Sequence, residues 1–120
     1  MVTGGFEDII GKKVLSFALE DNKQTLSIAF MDGTTKKYGV EGDCCSHSWI
    51  EHLEMPDTVA GATLTAVEDS DYTEVPDPDH ECLKVYRVTF QTTLGSVTLE
   101  FRNSSNGYYG GYLIGKNYDV

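Results

Sequence analysis

A polar, glycine-bearing turn near the end of the chain combines groups that can bind a phosphate-bearing ligand. Arg102 supplies a guanidinium, Asn106 and Gly107 supply backbone N–H groups, and Tyr108 and Tyr109 supply aromatic faces for stacking. These are the groups that a nucleotide-sized anion requires. The pattern is also typical of a surface turn in which Asn-Gly takes positive φ and the tyrosines pack at an edge, and both interpretations stay open.

Two residues of the preceding alternating run extend this candidate site. Arg87 is a second cation that could pair with a phosphate, and Phe90 is an aromatic side chain that could stack on a base. Both lie within Cys82 to Thr92, where apolar residues recur at every second position. We therefore include both residues in the predicted ligand site.

The cysteines and histidines raise the alternatives of a metal site or a reactive thiol. Structural zinc usually requires paired Cys-x2–4-Cys ligands, whereas Cys44 and Cys45 are adjacent, and on a helix they would point about 100° apart. A thiol there could be activated by His47 or His52, but the pattern shows no third orienting residue and no oxyanion donors. We therefore predict that the protein has no metal, no cofactor and no catalytic activity. If Cys44 or Cys45 were instead catalytic, its thiol would react rapidly with alkylating reagents at neutral pH.

The net charge of the chain disfavours two classes of binding partner. The 120 residues carry 9 basic and 19 acidic side chains, a formal net charge of −10 that disfavours binding to polynucleotides and anionic membranes. Residues 68–81 hold seven of the acids and no base. With prolines and almost no large apolar residue, this stretch is predicted to be an acidic mobile loop. Alternatively, it could imitate nucleic-acid phosphates and dock onto a basic protein.

The elements that position these residues form a single domain, 1–120. Period-two alternation predicts hairpins over Val14–Val40, with a turn at Asp32-Gly33, and over Cys82–Phe101, with a turn at Thr93–Gly95. Between them, Ser48 with Glu51 fits a capping box, and Cys45, Trp49 and Leu53 recur at every fourth position. We predict an α+β fold, an antiparallel meander of six to seven strands with one short helix that buries Trp49.

Three sequence blocks carry a resemblance to a known group of proteins. They are Gly42–Glu51 (GDCCSHSWIE), Gly61–Asp69 (GATLTAVED) and Ser105–Gly111 (SNGYYGG). Together they resemble a family of small phage and prophage proteins of unassigned function, some of whose relatives are anti-Thoeris sponges. The resemblance implies a homo-oligomer that holds a cyclic ADP-ribose-type signal at a subunit interface without turning it over.

The leading expectation is a phage-type binding protein in the host cytoplasm that sequesters a small cyclic nucleotide or ADP-ribose derivative. Arg102 would pair with phosphate, Asn106 and Gly107 would donate N–H groups, and Tyr108 or Phe90 would stack on the base. The three cysteines are expected to be reduced, and the N-terminus has no apolar secretion signal. The alternative function is an acidic inhibitor that binds a host protein.

Overall fold

The computed structural model describes residues 2–3, 6–20, 24–42, 47–75, 82–105 and 111–116, and this part of the chain is all-β. The strands are β1 (Val2–Thr3), β2 (Val14–Glu20), β3 (Thr25–Phe30), β4 (Thr35–Gly42), β5 (His47–Glu54), β6 (Leu64–Val75), β7 (Cys82–Thr92), β8 (Gly95–Ser105) and β9 (Gly111–Lys116). Eight of them have six residues or more. The predicted α+β class is therefore wrong.

The strands form two sheets. The first has the order β1-β9-β4-β3-β2 and the second the order β5-β8-β7-β6. All pairings are antiparallel except that of β1 with β9, which is parallel. No helix within the described ranges has the length and apolar character needed to cross a membrane.

The predicted hairpins are confirmed. Strands β2, β3 and β4 follow one another in the first sheet, and Gly33 at the β3–β4 turn has φ 89°. Asp32 Oδ1 accepts a hydrogen bond from the Thr34 backbone N–H at 2.9 Å, which closes this turn. Strands β7 and β8 pair from Cys82↔Ser105 to Thr92↔Gly95. Alternation and turn residues together were sufficient to locate these strands.

The predicted helix is instead strand β5, and a β-bulge explains the error. The pairing of β5 with β8 runs from Ile50↔Phe101 directly to His52↔Glu100, so that Glu51 is an extra residue. In a regular strand, residues four apart face the same side of the sheet. The bulge puts Trp49 on the outer face and Leu53 on the inner face, so the four-residue repeat that predicted a helix does not mark one buried face.

The predicted acidic loop is also corrected over most of its length. Residues 68–75 belong to β6, which pairs with β7 from Leu64↔Thr92 to Val75↔Leu83, and residues 76–81 lie outside the described part. β6 is the last strand of its sheet. An edge strand needs little buried apolar surface, because hydrogen bonds to one neighbour order its backbone. A polar composition therefore did not exclude a strand.

One hydrophobic core lies between the two sheets. Phe17 of β2 contacts Phe90 of β7, with ring centroids 5.5 Å apart. Phe6 bridges the sheets, because its ring lies 4.8 Å from Tyr38 and 5.7 Å from Phe90. Burial raises the pKa of the fully enclosed Tyr38 well above its ordinary value, and the nearby carboxylates of Asp8 and Glu7 raise it further.

Candidate functional site

The blocks around residues 42–51 and 105–111 border the same end of the molecule. Gly42 pairs with Gly111 in the first sheet, and His47 pairs with Ser104 in the second. Four residues join Gly42 to His47 and five join Ser105 to Gly111. Residues 43–46 therefore connect the first sheet to the second, and residues 106–110 connect the second sheet back to the first. The strand ends that flank these two connections are neighbours in both sheets. The predicted ligand residues Asn106, Gly107, Tyr108 and Tyr109 lie outside the described part of the chain.

The two predicted arginines face outward from the second sheet and share one carboxylate. Arg87 Nη2 donates to Glu100 Oε1 at 3.0 Å, and Arg102 Nη2 donates to Glu100 Oε2 at 3.1 Å. Arg102 Nη1 also lies 4.0 Å from Glu51 Oε1. Glu100 is buried between the two guanidinium groups. Both arginines are therefore charge-compensated within the fold, and an external phosphate would have to displace Glu100.

Trp49 lies on the same outer face, directly opposite Arg102 in the register of β5 and β8. Its Nε1 donates to Glu51 Oε2 at 2.8 Å, and the ring of His47 stacks on it at a centroid distance of 5.2 Å. The sequence prediction placed Trp49 in the core, but alternation with the inward Ser48 and Ile50 places it half-buried on the outer face. This face therefore presents stacked aromatic rings beside a balanced set of charges.

Phe90 belongs to the core. Its side chain is fully buried, in contact with Phe17 and Phe6. No ligand can stack on it unless the two sheets separate. We therefore remove Phe90 from the candidate site.

A row of buried polar side chains crosses the inner face of the second sheet at this same end. Asn103 is opposite Ser48 on one side and Lys84 on the other. Asn103 Nδ2 donates to Ser48 Oγ at 2.9 Å. The exposed fractions are 6% for Ser48, 0% for Asn103 and 7% for Lys84. A buried hydroxyl, amide and ammonium therefore lie side by side on three adjacent strands.

The sequence contained a signal for this row that motif reasoning missed. Asn103 continues the inward alternation of Leu99 and Phe101, and Lys84 stands two residues before the inward Tyr86. A polar residue in an inward position is the informative exception in an alternating strand. The row lies close to the strand ends, because Ser105 ends β8 and Cys82 begins β7.

The cysteine and histidine cluster contributes no metal site in the described residues. Cys44, Cys45 and His80 lie outside them. His52 Nε2 lies 3.1 Å from Glu54 Oε1 on the exposed side of β5. Across the described ranges, no group of three His, Cys, Asp or Glu residues is placed to hold a metal ion.

Comparison with known proteins finds an uncharacterised viral relative. The chain is 34% identical over 105 residues to the uncharacterized protein L278 of Acanthamoeba polyphaga mimivirus, and the match covers 79% of each protein. No solved structure matches the chain significantly. The family model described as "Domain of unknown function (DUF7448)" matches residues 7–114. The chain therefore belongs to the DUF7448 family.

Proposed function

We propose that this chain is a binding protein that captures a small nucleotide-like anion without chemical turnover. The ligand would lie at the end of the sandwich where β5, β7 and β8 carry the row Ser48, Asn103 and Lys84. The observation that carries the proposal is the buried hydrogen bond between Asn103 and Ser48, which ties the block at residues 42–51 to β8 beside a buried lysine.

The chemistry of the row suits a phosphate group. An ammonium offers three donors and a full positive charge, the Asn amide offers two donors, and the Ser hydroxyl offers one. Lys84 acts as a compact point charge, a role that lysine commonly has in phosphate sites. We therefore assign the phosphate contact to Lys84, which lies opposite Asn103 in this row. A phosphate at Arg102 or Arg87 would have to displace Glu100.

The base-stacking role stays with Tyr108 and Tyr109. They follow β8 by three and four residues, counted from Ser105, so that the chain can bring them close to the row. Asn106 and Gly107 would donate backbone N–H groups between them. The resemblance to sponge proteins extends the proposal to a role in blunting a host nucleotide signal. The viral relative is consistent with a chain that acts inside the host cytoplasm.

Thermal denaturation with a ligand panel tests the proposal. The panel consists of cyclic ADP-ribose isomers, cyclic dinucleotides and cyclic trinucleotides. A ligand present at about a hundred times its Kd adds about 2.7 kcal/mol of stability. In a domain of this size that corresponds to a rise in Tm of several degrees. Mass spectrometry of ligand released by heating should recover it unchanged, because no turnover is proposed.

The variant Lys84→Met should abolish the rise in Tm caused by the ligand, since it keeps a long apolar side chain and removes the charge. Lys13→Met is the matched control: it removes the same charge from an exposed residue just before β2 and should bind like the unmodified chain. The proposal fails if no ligand raises the Tm, or if Lys84→Met retains the full shift.

A second candidate function has one specific observation in its favour. The outer edge strand of the second sheet, β6, carries Glu68, Asp69, Asp71 and Glu74 and no basic residue. Such an edge could imitate the phosphates of a nucleic acid and dock onto a basic host protein. Replacing these acids with Gln or Asn should then abolish inhibition of that protein, while nucleotide capture at Lys84 should persist.

A further inference from the structure

We propose that the outer edge of β2 binds an extended segment of a partner protein as an added strand, and that this segment alternates apolar with basic residues. The proposal does not depend on the nucleotide site or on the acids of β6. It rests on the direction of the backbone groups along β2, on the groove beside them and on one acidic residue that lines this groove.

The backbone groups of Phe17 and Leu19 point away from the rest of the first sheet. On the neighbouring strand β3, Phe30 N donates to Thr34 O at 2.9 Å, so Phe30 bonds toward β4. Because the direction of hydrogen bonding alternates along a strand, even-numbered residues of β3 bond toward β4 and odd-numbered ones toward β2. Phe17 and Leu19 pair with even-numbered residues of β3, so their N–H and C=O groups point outward.

Within the described ranges, this outer side of β2 is hydrogen-bonded only at its first residue. Val14 N donates to Ala62 O at 2.7 Å, and Gly61 N donates to Val14 O at 2.8 Å. No other described backbone group bonds to the outward groups of Phe17 or Leu19. Phe17 is nevertheless buried, and buried backbone groups are nearly always hydrogen-bonded. An added strand would supply the missing partners and would continue the line of backbone that residues 61–62 begin.

A groove of about 400 Å3 opens beside these backbone groups, between residues 15–17 of β2 and residues 55–60 of the connection to β6. Its apolar lining includes the buried side chains of Phe17 and Val59 and the exposed side chain of Met55. Residues that pair with each other point to the same side of a sheet. The residue of an added strand that pairs with Phe17 would therefore face this lining, and the segment needs apolar residues at every second position.

The polar part of the groove favours a positively charged segment. The exposed residue Asp57 lines the groove, together with the hydroxyl-bearing Ser16 and Thr58. The net charge of −10 also attracts basic segments to the molecule as a whole. The β2 edge of a second copy would supply no cation for Asp57, because β2 contains no Lys and no Arg. The occupant that fits both the lining and the charge is therefore an apolar and basic strand of a different protein.

The two outer edge strands of the molecule differ in how they are protected against pairing. Charged side chains commonly keep an edge strand from pairing with other chains. β6 contains four acids, whereas β2 has no charged residue before its last one, Glu20. Glu20 is itself paired with Lys37 Nζ at 2.8 Å. This difference indicates that β6 is protected against pairing and that β2 is open to it.

Amide hydrogen exchange of the full chain, followed by NMR, tests the proposal. The probe is a synthetic seven-residue peptide with blocked ends in which Lys and Val alternate. With this peptide at about ten times its Kd, exchange of the Phe17 and Leu19 amides should slow by about tenfold, in proportion to the free edge. The amides of Ser16, Ala18 and Glu20 are the internal reference. They bond to β3 and should exchange slowly with or without the peptide.

A reversal of charge tests the role of Asp57. A peptide in which Glu and Val alternate should bind the unmodified chain at least about tenfold more weakly than the Lys–Val peptide, and Asp57→Lys should reverse this preference. Glu74→Lys is the matched control, because it makes the same change of charge on an exposed residue of the other edge strand, and it should keep the original preference. Circular dichroism shows whether each variant is folded. If Asp57→Lys is not, Asp57→Asn replaces it and should remove the preference.

Several results would overturn the proposal. They are no binding of the Lys–Val peptide at millimolar concentration, binding that leaves the exchange of Phe17 and Leu19 unchanged, and equal binding of the two peptides. Slow exchange of these two amides without any peptide overturns it as well. In a monomer it would show that the chain covers its own edge, and in a dimer it would show that a second copy does.

Discussion

The hydrogen bond between Asn103 and Ser48 should contribute measurably to stability. It joins β8 to β5 across the inner face, at a donor–acceptor distance of 2.9 Å, with both side chains buried. Ser48→Ala leaves a buried amide donor without its acceptor, which costs about 1–2 kcal/mol of unfolding free energy. Asn103→Ala should cost about 2–3 kcal/mol, because it also removes buried volume.

A double-mutant cycle isolates the pair. The sum of the losses of unfolding free energy in the two single variants should exceed the loss in the double variant Ser48→Ala/Asn103→Ala by about 1 kcal/mol. The reason is that the second substitution can no longer break the hydrogen bond. Urea unfolding followed by far-UV circular dichroism gives each free energy, and an unchanged m-value shows that the unfolded states are comparable.

An exposed bond supplies the control for this cycle. Ser96 Oγ lies 2.7 Å from Gln91 Oε1 near the β7–β8 turn, in contact with solvent. Because water replaces the lost partner there, Ser96→Ala and Gln91→Ala should couple by less than about 0.5 kcal/mol. A coupling of Ser48 with Asn103 no larger than this control value would refute the assignment of a structural link between β5 and β8 at this position.

Three further predictions concern other parts of the fold. Tyr38 keeps its proton in the folded state but ionises near pH 10 in the unfolded state. Its contribution to the free energy of unfolding is therefore complete below pH 10 and decreases as the pH rises above 10. Urea unfolding between pH 9 and 11 should therefore show that Tyr38→Phe loses less stability per pH unit than the unmodified chain, by up to about 1.4 kcal/mol; equal slopes would contradict the raised pKa. Glu100→Gln removes the shared counter-charge of two arginines and should cost about 1–3 kcal/mol in the same assay, with exposed Glu54→Gln costing little. Gly95 has φ 134°, and a Cβ there would lie 3.1 Å from Pro56 Cγ, so Gly95→Ala should lower the Tm by several degrees; an unchanged Tm would show that the turn relaxes freely.

The sequence identified the strands whose patterns were regular. In β2, β3, β7 and β8 the alternating residues and the turn residues point to the same structure, so local and global preferences agree. β5 could not be predicted in this way, because the extra residue at Glu51 changes the spacing of its inward side chains. The second part of β6, residues 68–75, was missed because composition was judged against the needs of a buried strand, whereas the fold places it at an edge.

The candidate site was predictable only in part. Arg102 and Arg87 were singled out for their charge, but sequence spacing does not reveal that pairing of β7 with β8 sets Arg87 opposite Glu100. This register places one buried carboxylate within reach of both guanidinium groups. Lys84 was the reverse case. Its position in the alternation already indicated an inward side chain, yet no motif drew attention to it.

The position of β9 has a consequence for how the chain reaches its native state. β9 lies between β4 and β1, and it pairs Val2 with Leu113, residues 111 positions apart. Closing so long a loop costs conformational entropy before any contact repays it, and chains rich in such pairings fold in milliseconds to seconds. Until β9 docks, the side of β4 that receives it lacks this partner. During synthesis on a ribosome, the first sheet can therefore be completed only after residue 116 has emerged.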